Sequence, residues 1–285
     1  MVQDYCYGTT DTYTNVQRTF ETFASAISKS GRKMQLGMWN LGMGRPWMWA
    51  SGMNLQAGYT LSQHFRVTSD IGNVWEGYTG PTMGVLTTVD VIQAVSDMYN
   101  YGVGNQSGVY PNYGQLAVGV PPDHPTAGDP GLTLVEAQSH FSMWCMFPSV
   151  LLATNDVRKR DSDIEAILLN KEAIAINQDP WASPAFRINV GVQHWRSDIG
   201  ADPRLPIIIQ WARYLSNGDV AVLILNRDAH TQTGLLYFAD FLPGVSGGSY
   251  VVRDVQATKD LGVYHEKIAF SLQAHQTAFY RLSSA

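Results

Sequence analysis

A change in the hydrophobic pattern near residue 185 constrains the fold of this chain more than any other sequence feature. Upstream of it, short apolar stretches alternate with segments whose apolar residues recur every three or four positions. Downstream, short alternating apolar stretches follow one another with turn-forming residues between them. The first pattern is typical of strand–helix units around a parallel sheet, and the second of an antiparallel sandwich. The sequence therefore predicts two architectures within its 285 residues.

The upstream part is predicted to be α/β. Two helices are expected over 11–29 and 87–101, and two more after the capping boxes that begin at Thr133 and Ser162. The predicted strands are short and apolar: 33–38, 65–71, 115–119 and 149–153. A closed β/α barrel needs about 250 residues, whereas about 185 are present here. The upstream part therefore predicts either a smaller open sheet or an incomplete barrel.

The downstream part is predicted to contain strands and no helix. The predicted strands are the stretches INVGVQHW, LPIIIQWARYL, DVAVLILN, TGLLYFADF, SYVVRDVQA, EKIAFSLQ and TAFYRL. Turn signals separate them, as in Ser216 to Asp219. The boundary is placed between 183 and 187, which gives an α/β domain over 1–185 and an antiparallel β-sandwich over 186–285.

Composition excludes several classes of function. Nineteen Lys and Arg against 24 Asp and Glu give a formal net charge of −5, which argues against a protein that binds nucleic acid through its phosphates. No apolar run approaches the length of a membrane span, and the first ten residues do not resemble a signal peptide. The seven His show no metal-ligand spacing, so no metal and no cofactor is expected.

The two cysteines, Cys6 and Cys145, are too few for a disulfide framework or a four-cysteine zinc site. Cys145 lies in an apolar stretch and is predicted to be an inert core thiol. Cys6 is left open, as a free thiol or as half of a bridge.

Carboxylates that follow strands are the candidate catalytic residues. Asp4 follows the extended start of the chain, Asp70 closes the stretch FRVTSD, and Asp156 follows SVLLATN. Ligand sites lie where parallel strands end. Two carboxylates across a cleft suit glycoside hydrolysis, in which one attacks the sugar and the other supplies a proton. A surface position or a helix cap is the alternative for any one of them. Aromatic residues in the loops 39–49, 75–78 and 101–113 predict either stacking on sugar rings or core packing.

Several motifs in order resemble those of the α-galactosidase family of retaining glycoside hydrolases, which includes α-N-acetylgalactosaminidases. NKEAIAINQDP at 170–180 is similar to the family's NKEVIAINQDP. Leu132 to Asp156 resembles its LT…SHFSLW…LL…ND stretch, 65–75 its WR…DI…W, and 46–49 its PWxW.

The resemblance implies a fold and a set of roles. The fold is the C-terminal portion of a (β/α)8 barrel, beginning at its fourth strand, followed by an antiparallel β-sandwich. Asp4 corresponds to the nucleophile and Asp70 to the acid/base. Arg66 corresponds to an arginine that helps to hold the sugar, and Asn40, beside Trp39, to a substrate-contacting turn residue. In such a retaining mechanism the two carboxyl groups lie about 5–5.5 Å apart.

This chain also departs from the family pattern. Val2 replaces a lysine, Trp39 replaces a cysteine, and Ser62 stands where that cysteine's partner is expected. The loop 110–116 lacks the family's aspartates. A catalytically degenerate or incomplete relative that only binds carbohydrate is therefore the alternative to an active enzyme.

The substrate implied by the resemblance is an α-galactoside oligosaccharide or glycoconjugate. The full-length parent is expected to be secreted, lysosomal or vacuolar, and Asn105 lies in a glycosylation sequon. The sequence leaves the oligomeric state open.

Overall fold

The computed structural model of the chain describes residues 2–4, 13–50, 53–54, 59–98, 109–124, 127–159, 161–188, 206–242 and 248–285. Together they form a partial β/α barrel followed by an antiparallel sheet domain. The chain divides into two compact units, one comprising 1–131 with 148–155 and the other 132–147 with 156–285. The domain division at residue 185 stays a prediction. The second compact unit contains three helices that the sequence analysis assigned to the α/β part.

The first unit contains short strands and two long helices. Its elements are β1 (Val2–Asp4), α1 (Tyr13–Lys29), β2 (Gly37–Trp39), β3 (Met53–Asn54), β4 (Tyr59–Thr60), β5 (His64–Arg66), β6 (Tyr78–Thr79), β7 (Thr82–Met83), α2 (Val85–Met98) and β8 (Tyr110–Asn112). Strands β3 with β4 and β6 with β7 form two small antiparallel ladders. The other four strands form one parallel sheet.

The parallel sheet has the strand order β1-β2-β5-β8. Its register aligns the strand ends, because Asp4 pairs with Trp39 and Arg66 pairs with Asn112. An isolated parallel bridge between Leu116 and Ala153 continues the same pattern. Because all four strands run the same way, their carboxyl ends meet at one edge of the sheet.

Helix α1 forms because its apolar residues recur at helical spacing. Val16, Phe20 and Ala24, each four residues apart, are buried, while the intervening polar residues face solvent. Gly31, at φ +67°, follows the last turn as the predicted stop. The predicted helix over 11–29 is therefore confirmed from Tyr13 onward, and residues 11 and 12 lie outside the described part.

Several predicted strands of this unit are placed or sized differently. The run 33–38 is a strand only from Gly37, and 65–71 only up to Arg66. The predicted strands 115–119 and 149–153 retain one bridge residue each, Leu116 and Ala153. The actual strand β8 was missed because Pro111 lies in its middle, and proline disfavours assignment to a sheet interior.

The second unit combines three helices with the sandwich. Its elements are α3 (Leu134–Met146), α4 (Ser162–Leu168), α5 (Lys171–Asn177), β9 (Phe186–Ile188), β10 (Ile208–Tyr214), β11 (Val220–Asn226), β12 (Gln232–Tyr237), β13 (Ser249–Asp254), β14 (Lys259–His265), β15 (Lys267–Leu272) and β16 (Thr277–Ser284). The order in the larger sheet is β14-β13-β16-β11-β10-β9, and β12 pairs with β15. All of these pairings are antiparallel.

The inward faces of the two sheets share one apolar core. Val222, Ile224, Leu236 and Ile268 are buried there, because alternate residues of each strand point the same way. The predicted strands from 208 onward are confirmed, except that TGLLYFADF is a strand only to Tyr237 and continues as a short 3-10 helix over Phe238–Asp240. Strand β14 was not predicted, since its residues alternate little and most of them are exposed. Of the stretch INVGVQHW, residues 189–195 lie outside the described part.

The two capping boxes had different outcomes. The Thr133–Glu136 box is present, with the Thr133 hydroxyl accepting from the Glu136 amide and the Glu136 carboxylate accepting from the Thr133 amide. At α4 the cap is Asp161, whose Oδ1 accepts from the amides of Asp163 and Ile164. The prediction of Ser162 as the cap was wrong by one residue, because the preceding aspartate already satisfies those amides.

Candidate active site

Four polar or aromatic residues occupy one edge of the parallel sheet. Asp4, Trp39, Arg66 and Asn112 are the last residues of β1, β2, β5 and β8. The pairs Asp4–Trp39 and Arg66–Asn112 are in register, and Met38 pairs with Phe65, so all four lie at one level. Strands are about 4.8 Å apart, which puts the α-carbons of Asp4 and Arg66 about 10 Å apart.

Arg66 organises the middle of this edge. Its side chain is fully buried, and its Nη1 donates to Oδ1 of Asp70 at 2.8 Å. Its Nη2 donates to the carbonyl oxygens of Ser69 at 2.6 Å and Thr68 at 3.2 Å. One guanidinium therefore fixes both the backbone and the carboxylate of the turn that follows β5.

Asp70 presents a carboxylate to solvent from this turn. Its side chain is 43% exposed, and Oδ2 accepts no hydrogen bond from any described residue. Its carbonyl oxygen accepts from the Met83 amide at 2.8 Å, and the next residue, Ile71, is buried and bridged to Met83. The carboxylate is therefore accessible while its backbone is held firmly.

The end of β2 and the turn that follows it lie against Arg66. The ring of Trp39 lies over the guanidinium, with the Arg66 Cζ 4.5 Å from the ring centroid. Asn40 is buried, and its Nδ2 donates to the Met43 carbonyl oxygen. Gly42 adopts φ +81°, and a Cβ there would lie 2.4 Å from the Val67 carbonyl oxygen, so only glycine fits this turn.

Two family models match the chain. One described as alpha galactosidase A matches residues 2–179, and one described as the alpha galactosidase C-terminal beta sandwich domain matches residues 208–282. The chain belongs to the α-galactosidase family.

Its relatives include proteins from distant organisms. The "Probable alpha-galactosidase" of Dictyostelium discoideum is 28% identical over 93% of this chain and 57% of its own length. Alpha-galactosidase A of Cellvibrio japonicus is 29% identical over 75% and 44%, respectively. The crystal structure of α-galactosidase I from Mortierella vinacea matches all of this chain and 67% of its own, with a TM-score of 0.79 at 23% identity. The chain therefore spans about half the length of the curated relatives it matches.

Sequence reasoning missed two polar residues in or beside this edge of the sheet, Asn112 and His64. Asn112 is fully buried beside Arg66, its Oδ1 accepts from the Gly114 amide at 2.9 Å, and its Nδ2 lies 3.4 Å from Nδ1 of His64. Burial and nearby positive charge, including that of Arg66, lower the pKa of His64. The one sequence feature that pointed to Asn112 was its place in the altered loop 110–116. Its position beside Arg66 follows only from the register of β8 against β5.

Other predicted residues had varied outcomes. Asp156, the third candidate carboxylate, forms a bidentate ion pair with Arg158 at 2.8 and 2.9 Å. Among the loop aromatics, Trp49 and Trp75 are buried, whereas Tyr78 is 69% exposed. Cys145 is fully buried and burial raises the pKa of its thiol, so the prediction of an inert core thiol is confirmed.

For one predicted residue the structure describes the backbone alone, and two others lie outside the described residues. The first is Asp4, so the distance between the Asp4 and Asp70 carboxyl groups is not described. Cys6 and Asn105 are the others. Across the described ranges, no three His, Cys, Asp or Glu side chains cluster closely enough to hold a metal ion, and no helix is long and apolar enough to cross a membrane.

Proposed function

We propose that the protein is a retaining glycoside hydrolase that removes terminal α-linked galactose from oligosaccharides or glycoconjugates. The observation that carries the proposal is the Arg66–Asp70 pair, an exposed carboxylate held at 2.8 Å by a buried guanidinium at the carboxyl edge of the sheet. Asp4 ends the strand two positions away along the same edge. Membership of the α-galactosidase family supports the interpretation of this sheet edge as a glycosidase active site.

The proposed reaction is a double displacement. The Asp4 carboxylate attacks the anomeric carbon as the bond to the leaving oxygen breaks, and Asp70 gives its proton to that oxygen. A covalent galactosyl ester on Asp4 results. Asp70, now a carboxylate, then takes a proton from water, whose oxygen attacks the anomeric carbon and frees Asp4. The product keeps its α configuration, and both carboxyl groups return to their starting states.

The remaining edge residues are proposed to hold and orient the sugar. Asn40, which is buried and whose Oδ1 has no hydrogen-bond partner among the described residues, is proposed to contact the sugar because the family resemblance gives its position that role. Trp39, which is half-buried, offers an apolar ring edge to the sugar. Arg66 is proposed to aid sugar binding as well as to hold Asp70.

Hydrolysis of nitrophenyl α-galactoside, with NMR detection of the first anomer released, tests this function. We expect the α anomer first and no detectable turnover by Asp4→Asn. In Asp70→Asn we expect a loss of about 10²–10⁴-fold on an α-galactosyl disaccharide, whose leaving group needs a proton, and a smaller loss on the nitrophenyl substrate. Asp156→Asn is the matched control, because Asp156 is a surface carboxylate already paired with Arg158, and it should keep wild-type activity.

The alternative, a relative that only binds carbohydrate, rests on Val2 and on the altered loop 110–116. Galactose binding by the wild-type chain without any hydrolysis would support that alternative and overturn the enzymatic proposal. Hydrolysis that survives in Asp4→Asn would overturn the assigned roles.

We also infer that the protein acts outside the cytosol, in a secreted, lysosomal or vacuolar setting. This inference is supported only by membership of the α-galactosidase family. Fractionation of the source cells with an antibody against the chain would test it, and a purely cytosolic signal would contradict it.

A further inference from the structure

The guanidinium of Arg66 is restrained in more than one direction. Hydrogen bonds to Asp70, Ser69 and Thr68 restrain it within its own plane. Because they lie close to that plane, these bonds resist tilting of the plane less strongly than movement within it. The ring of Trp39, with its centroid 4.5 Å from Cζ, blocks that movement on one face.

We propose that Trp39 is a positioning residue for the acid/base carboxylate and acts on it through Arg66. The inference rests on the proposed function and adds to Trp39, beside its proposed contact with the sugar, a role that it exerts through Arg66. An aromatic face attracts a cation most strongly where water is excluded, and the Arg66 side chain is fully buried. The stack therefore fixes the plane from which Nη1 reaches Oδ1 of Asp70.

The architecture explains why this restraint is needed. Strands β2 and β5 are neighbours in the parallel sheet, and their described pairing ends at Met38 and Phe65. The Trp39–Arg66 stack is a side-chain contact that joins the two strand ends where the backbone ladder stops.

The proposal predicts a loss that depends on the leaving group. A 2,4-dinitrophenolate departs without being protonated, whereas the sugar alkoxide of an α-galactosyl disaccharide requires a proton from Asp70. If Trp39 only stacked on the bound galactose, both substrates would lose equally, because both present the same galactose. If it positions Asp70, only the disaccharide loses strongly.

The experiment measures kcat/KM of Trp39→Leu on both substrates, because kcat/KM reports the first, glycosylation step. Leucine keeps apolar volume but has no π face. We expect a loss of about ten- to thirty-fold on the disaccharide and less than about threefold on the dinitrophenyl galactoside. Trp39→Phe keeps a weaker π face and should show the same selectivity with a smaller loss. The control is Trp181→Leu, an exposed tryptophan on the turn after α5, which should match the wild type.

The outcomes separate this inference from the proposed function. If the wild type hydrolyses neither substrate, the proposed function fails. If the wild type is active and Trp39→Leu loses both activities equally, the positioning role is overturned. If Trp39→Leu does not fold, as judged by thermal melting, Trp39→Phe decides, and equal losses on the two substrates would again overturn the proposal.

Discussion

At the scale of single residues, the burial of Arg66 is the feature that most needs an energetic explanation. An isolated charge in the interior would be strongly destabilising, so it must be compensated. Its compensation comes from one carboxylate, two carbonyl oxygens and an aromatic face. Because the carboxylate partner, Asp70, is 43% exposed, the pair keeps one member available for chemistry.

Replacing Arg66 with lysine should separate charge from geometry. Lysine keeps the positive charge, but an ammonium group cannot reach Asp70 and the two carbonyl oxygens from one plane. We expect Arg66→Lys to lower kcat/KM by about a hundredfold, because a carboxylate misplaced by about 1 Å can cost that much.

Arg158→Lys is the matched control for this substitution. Arg158 also pairs with an aspartate that lies close in sequence, but its side chain is 86% exposed. It should keep full activity and stability, since exposed ion pairs contribute about 0–1 kcal/mol. Full activity in Arg66→Lys would contradict a geometric role for the guanidinium.

Glu136 is expected to make stability dependent on pH. Burial alone would raise the pKa of its carboxyl, but hydrogen bonds from His275 at 2.7 Å and from Thr133 outweigh burial and lower that pKa. A carboxyl whose pKa is lower in the folded state stabilises the fold above its unfolded value, 4.5, and loses this effect as the pH falls through the folded value.

Thermal unfolding of Glu136→Gln against the wild type between pH 7 and pH 3 measures this effect. The variant should be less stable by about 1–3 kcal/mol at pH 7, and the difference should shrink below pH 4.5. Glu266→Gln, at an exposed position, serves as the control. A stability difference between the variant and the wild type that stays constant over the whole pH range would contradict a lowered pKa of Glu136.

At the scale of single elements, two neighbouring residues, Asp161 and Ser162, are compared as the N-cap of helix α4. Asp161 accepts two backbone amides of the first turn, whereas the Ser162 side chain forms no hydrogen bond with the described residues. Asp161→Ala should therefore lower the free energy of unfolding by about 1 kcal/mol, and Ser162→Ala by much less. Urea denaturation of both variants gives the comparison, and equal losses would show that the cap is shared.

Strand β12 offers a similar comparison across its two faces. Leu236 is fully buried in the sandwich core, and its neighbour Leu235 is 39% exposed on the opposite face. We expect Leu236→Ala to lower the free energy of unfolding by about 2–5 kcal/mol, and Leu235→Ala by about 0.5 kcal/mol. The midpoints of urea unfolding would measure both, and a larger loss at Leu235 would mean that the strand register is wrong.

At the scale of the whole molecule, much of the architecture could be predicted from hydrophobic spacing. Helix α1 and the strands from β10 onward other than β14 were predicted because their own residues alternate or recur at a clear period. Strand β8 was not predicted, because three residues that include a proline give no periodic signal. Its position is decided by pairing with β5, which is not a local property of the sequence.

The candidate site divides in the same way. The motif around Arg66 and Asp70 could be identified from the order of residues, although Asp70 lies in the turn after β5, where strand alternation does not apply. The stack of Trp39 on Arg66 could not, because the two residues lie 27 positions apart and meet only through the pairing of β2 with β5. The burial of Asn112 beside Arg66 was hidden for the same reason.

The sequence by itself determined that strand–helix units precede an antiparallel sandwich, and which acidic residues are candidates for the site, because periodicity and residue type are local properties of the chain. The tertiary structure alone decided which strand ends lie side by side, which tryptophan covers the arginine, and which aspartate carboxylate stays open to solvent. Those outcomes depend on register and on burial, and both are set by contacts between residues far apart in the chain.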